Sequence, residues 1–150
     1  MFAICIEASH LKGMGHLFRM LNFSSYLKKQ NQEFIFIIND NTKTKEILLS
    51  YEFLFEIVCL DDYKSGWELE LIDKYSIKYW INDRLDTNNS HVQYLKNRDV
   101  KIVTFDDLGD GAKNSNINIC GLFFNNSSLE GIKILKGTDY LILNREINNF

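Results

Sequence analysis

The sequence predicts an α/β protein, a Rossmann-like, doubly wound, mainly parallel sheet with helices on both faces. Three observations carry that expectation. Short β-rich runs alternate with segments of helical apolar spacing from Phe2 to Phe105, and parallel neighbours need crossovers that are usually helices. The run Glu33 to Asn39 is almost unbroken apolar, which suits a strand covered on both faces. Between the first strand and the first helix lies a glycine turn, Gly13-Met-Gly15-His16, at the place where such folds bind ligands.

Taken in order, Phe2 to Glu7 reads as the first strand. The helix after the glycines carries Leu17, Met20, Leu21, Ser24 and Leu27 on one face and ends near Lys28 to Gln30. Glu33 to Asn39 is the second strand, Thr42 to Tyr51 a helix, and Leu54 to Leu60 the third strand. A third helix spans Ser65 to Tyr75 with Ser65 as its cap. The fourth strand, Ile77 to Asn82, is closed by Asp83. Asn88 or Asn89 caps a helix through Leu95, and Val100 to Phe105 is the fifth strand, ending in Asp106-Asp107. Leu108 to Asn114 is a loop; Asn116 to Phe124 and Asp139 to Leu143 are read as further short strands.

Composition bounds the rest. With 150 residues, 45% hydrophobic and 25% charged, the chain has enough material for one domain (residues 1–150) with a proper core. Its 17 basic and 20 acidic residues are interspersed and sum to -3, so no basic face advertises nucleic acid or an anionic membrane. The longest apolar runs are strand-sized, so neither a membrane span nor a leader is expected. Cys5, Cys59 and Cys120 lie in apolar runs without metal-ligand spacing, which points to buried, reduced thiols of a cytoplasmic protein. No metal or cofactor is expected.

The strand ends place Glu7, Asp40, Asp83, Asp106 and Asp107 on one acidic rim. Such residues also serve simply as caps and solvated loop groups. The glycine turn has three readings. As a dinucleotide fingerprint it fails at the third position, where Phe18 stands, although Asp40 is placed for a ribose contact. As a P-loop it lacks the Gly-Lys-Ser/Thr that must follow. As a sugar or phosphate cradle it presents His16 as a base, its cationic form disfavoured by the helix N-terminus and by Arg19 one turn on. The bland alternative is a histidine that caps or packs.

Glu7-Ala-Ser9, Gly13-Met-Gly15-His16 and Arg19, followed by Asp83, Phe105-Asp106-Asp107-Leu108 and Gly137-Thr-Asp-Tyr140-Leu-Ile-Leu143, resemble in order the signatures of PseG/SpsG-type proteins. These are nucleotide-sugar hydrolases and glycosyltransferases of surface-polysaccharide synthesis. The resemblance implies the N-terminal half of a GT-B fold, with a second domain outside this chain and a UDP-sugar held between the two. It implies that His16 activates water at the sugar–phosphate linkage. It also implies that Gly13, Gly15, Arg19, Asp83, Asp106, Asp107 and Tyr140 contact the substrate. Cys5, Leu85 and Asn144 depart from that pattern, where the family carries Arg, Tyr and Arg. A related glycosyltransferase and a non-catalytic module that binds a sugar, a nucleotide or a protein are the alternatives.

Overall fold

The computed structural model describes residues 1–8, 14–121 and 129–143. Seven strands form one sheet, every pairing parallel: β1 (Phe2–Ile6), β2 (Phe34–Ile38), β3 (Phe55–Ile57), β4 (Tyr79–Asp83), β5 (Lys101–Phe105), β6 (Ile117–Cys120) and β7 (Lys133–Lys136). Their order is β3-β2-β1-β4-β5-β6-β7. The helices are α1 (Gly15–Lys29), α2 (Thr42–Ser50), α3 (Trp67–Tyr75) and α4 (Asn89–Lys96). The Rossmann-like fold class is as expected.

Alternation along the central strands divides the core in two. Ile4 and Ile6 of β1 join Phe36, Ile38 and Ile81 under Leu17, Met20, Leu21 and Leu27 of α1 and Leu48 of α2. Ala3 and Cys5 point the other way, with Ile35, Ile37 and Trp80, under Leu71 and Ile72 of α3 and Val92 and Leu95 of α4. Leu17 and Met20 are wholly buried. At roughly 1.5–3 kcal/mol for each such side chain, this face fixes where α1 starts and therefore where His16 and Arg19 stand. The strand sequence reverses direction between β1 and β4, which opens a crevice at their carboxyl ends.

Four expectations are corrected. Ser65 does not cap α3: the helix starts after Gly66, which takes a left-handed backbone (φ 69°) and offers no side-chain cap. Residues 139–143 form no strand, because Thr138–Tyr140 is a 3-10 turn, and β7 instead occupies Lys133–Lys136. Cys59 is exposed, whereas Cys5 and Cys120 are buried as expected; burial pushes the Cys5 thiol up to about 12. The strand read across Asn116 to Phe124 stops at Cys120, and positions 122–128 lie outside the described residues. Among the described residues no helix is long and apolar enough to cross a membrane.

The α3/α4 face also buries a polar pair that the spacing did not announce. His91 Nδ1 lies 2.7 Å from Glu68 Oε1, with side-chain exposures of 0% and 1%, and the imidazole packs against Trp67 and Trp80. Burial pulls the His91 pKa below its ordinary value, and the Glu68 hydrogen bond only partly offsets this. A lowered value means that the unfolded chain binds the proton more readily. Stability is therefore complete above about pH 6.5 and falls as the pH drops from there toward the folded value, by up to about 1.4 kcal/mol per unit. Thermal midpoints measured between pH 8 and pH 5 are expected to show this decline. The double variant Glu68→Leu with His91→Phe is expected to flatten it.

Candidate active site at the carboxyl edge

The ends of two strands and one helix build the site. β4 ends in Asp83, whose side chain is fully buried, and the first turns of α1 bring His16 and Arg19 to it. His16 Nδ1 stands 2.7 Å from Asp83 Oδ1. Arg19 grips the same carboxylate with two donors, Nε to Oδ2 at 2.7 Å and Nη2 to Oδ1 at 2.5 Å. Its third nitrogen, Nη1, donates to Asp106 Oδ2 at 2.6 Å, just beyond β5, and the guanidinium lies 5.2 Å over the Phe105 ring. Burial works against the Arg19 charge, but the hydrogen bonds and charges of Asp83 and then Asp106 outweigh it and hold the guanidinium protonated.

These groups open into a cavity of about 510 Å³, lined by Gly15, His16, Arg19, Leu85, Phe105, Asp106, Gly121, Tyr140, Leu141 and Ile142. That volume lies within the usual range of ligand pockets, roughly 300–1,000 Å³. Two lining residues adopt left-handed backbone without being glycine, Leu85 at φ 70° and Asp106 at φ 47°. Such conformations cost on the order of 1–3 kcal/mol each and concentrate at functional sites. Leu85 lies two residues past β4 and Asp106 directly follows β5, where the chain turns off the sheet and leaves Phe105 and Asp106 facing the cavity.

Of the residues expected to contact substrate, His16, Gly15, Arg19, Asp106 and Tyr140 line the cavity. Asp83 does not line it: fully buried, it lies behind the wall and holds His16 and Arg19, which do. Gly13 lies outside the described residues. Asp107 is not brought to the cavity. Its Oδ1 accepts from the backbone N–H groups of Thr87 (3.0 Å) and Gly109 (2.9 Å), and its Oδ2 accepts from the Thr87 hydroxyl at 2.5 Å. Fully buried and fully partnered, it ties the β5 loop to the β4–α4 loop. The two backbones press together there: a Cβ on Gly109 would lie 2.3 Å from Thr87 N, and one on Gly111 would lie 2.6 Å from Asn88 O. Asp40 stands apart on the far side of β1, paired with Lys45 and largely exposed.

Arg84 is a polar residue the sequence reading passed over. Its side chain is 2% exposed, 3.8 Å from both Glu7 Oε2 and Asp61 Oδ1, and Nη2 donates to the Leu60 carbonyl. An arginine directly after a strand-end aspartate was the available signal. Spacing alone could not tell that Asp83 turns toward α1 while Arg84, the next residue, turns toward Glu7 and the β3–α3 loop.

No protein-family model matches this sequence, and no curated protein matches it. Solved structures do. The chain is similar to MurG of Acinetobacter baumannii, with a TM-score of 0.61 and 8% identity over 87% of this chain and 44% of that one. It is also similar to a glycosyltransferase from Rickettsia africae ESF-5, with a TM-score of 0.66 and 15% identity over 90% of this chain and 42% of that one. At such identities the likeness speaks for the fold. This chain spans less than half the length of either neighbour.

Proposed function

We propose that this domain is the sugar-holding half of a glycosyltransferase-like enzyme acting on a nucleotide sugar, with His16 as its base. The observation that carries the reading is the His16–Asp83 contact at the start of α1, facing the cavity at the crevice where the sheet reverses. A carboxylate that accepts from Nδ1–H leaves Nε2 as the basic nitrogen, and it fixes the ring's direction. A hydroxyl bound beside His16 passes its proton to Nε2 while its oxygen attacks the anomeric carbon. The bond from that carbon to the phosphate oxygen breaks, and the nucleoside diphosphate leaves with the bonding pair.

The fold of the two neighbours favours an acceptor hydroxyl over water as the nucleophile, so transfer takes precedence over hydrolysis. The resemblance to PseG/SpsG-type proteins supports the same substrate class and keeps water as the second choice of nucleophile. Nucleotide contacts are assigned to a second domain of GT-B type, since the neighbours are more than twice as long as the part matched here.

Product analysis tests this. The intact protein is incubated with a UDP-hexose, and UDP release is followed with and without sugar acceptors. Release that needs an acceptor supports transfer, and release in buffer alone moves the reading to hydrolysis. No release with any nucleotide sugar, together with no binding of one, overturns both.

A further inference from the structure

Resting on the reading above, we infer that Asn39 is a positioning residue for substrate binding: its side chain fixes the backbone at Ala8, where the chain leaves the sheet for the turn that leads through Gly13 and Gly15 to His16. The ladder of β1 ends at Ile6, opposite Ile38 on one side and Asp83 on the other. Asn39 and Arg84 are the next residues of those two neighbouring strands, and each reaches across to the departing chain. Asn39 Oδ1 accepts from the Ala8 N–H at 2.9 Å, and Asn39 Nδ2 donates to the Ala8 carbonyl at 2.8 Å. A side-chain amide thus supplies what the next rung of the ladder would have supplied. Ala8 is buried, so losing that amide would strand both of its backbone groups.

Arg84 holds the preceding residue from the opposite side, 3.8 Å from Glu7 Oε2. Its charge leans on Glu7, 19% exposed, more than on Asp61, which is equally distant but 78% exposed and screened by water. Residues 7 and 8 are therefore gripped from both neighbouring strands. The far end of the turn is fixed independently, by the buried Leu17 and Met20 of α1 and by the contacts of His16 and Arg19 with Asp83. Freeing Ala8 loosens the turn while His16 keeps its place. The loss then falls on substrate binding and not on proton transfer.

The test is steady-state release of UDP from a UDP-hexose by the intact protein and its variants. Asn39→Ala breaks both links to Ala8. Asn39→Asp keeps the size and the bond from the Ala8 N–H but sets an oxygen against the Ala8 carbonyl; it is assayed at high ionic strength, which screens repulsion by its new charge. In both, KM is expected to rise roughly tenfold, the affinity lost in ordering one freed residue. The turnover number and its pH profile are expected to stay as in the parent. Ile35→Val, a buried change in the same strand, is the control: it is expected to lower the thermal midpoint and leave KM unchanged. An unchanged KM in the Asn39 variants, a loss of turnover or a shifted pH profile in its place, or an equal KM rise in Ile35→Val would each overturn the inference while the proposed function stands. A parent that neither binds nor turns over any nucleotide sugar overturns both.

Discussion

Arg19→Met is expected to destabilise the protein by about 3–5 kcal/mol, the cost of leaving a buried charge without its partner. Asp83 is fully buried and receives two of the three hydrogen bonds that Arg19 makes. With the guanidinium gone, Asp83 keeps its contact with the His16 ring but loses its arginine. For a chain of this size the loss corresponds to roughly 6–20 °C in Tm. An exposed ion pair would forfeit less than about 1 kcal/mol and would weaken with salt. Denaturation of Arg19→Met at low and high ionic strength separates the two cases. Adding Asp83→Asn should recover much of the loss, because it removes the stranded charge. A variant as stable as the parent would show that this network carries no structural load.

His16→Asn in the intact protein is expected to lower turnover by roughly 10²–10⁴-fold with a much smaller change in substrate affinity, the mark of a general base. The side chain retains 12% exposure and contacts Asp83. Its removal should therefore cost on the order of 1 kcal/mol of stability. A packing or capping histidine predicts the opposite pattern: full activity and a lowered melting point. Turnover and thermal denaturation measured on the same preparation decide, and a destabilised but fully active His16→Asn protein removes the catalytic reading.

How far the sequence disclosed this arrangement depended on burial. β1, β2, β4 and β5 lie inside the sheet and read clearly as apolar runs. β7 is an edge strand of four residues bracketed by Lys133 and Lys136, so its composition resembles a loop. The strand-end carboxylates were legible as a rim, but not their allegiance. Asp106 turned to the cavity and Asp107, its neighbour, to the loop scaffold, because a left-handed residue at 106 redirects the chain by one position. Glu68 is the clearest loss. Placed in the first turn of α3 beside the exposed Glu70, it reads as part of a solvated helix face, and only the packing of α4 against α3 shows that it pairs with His91.

The links through Arg19 also bear on how the chain reaches this state. They join positions 64 and 87 residues apart, and β1, near the start of the chain, pairs with β4 beyond its midpoint. Long loops must close before any of these contacts can repay the entropy spent on them, which places the protein among slow-folding, non-local topologies. Proline isomerisation cannot be responsible for slow phases in these 150 residues, for they contain no proline. Loop closure sets the pace, and the pocket is among the last places to exist. A growing chain released before Asp106 has been synthesised lacks one wall of that pocket, so ligand capture at His16 can report, during refolding, that the sheet has closed from β1 through β5.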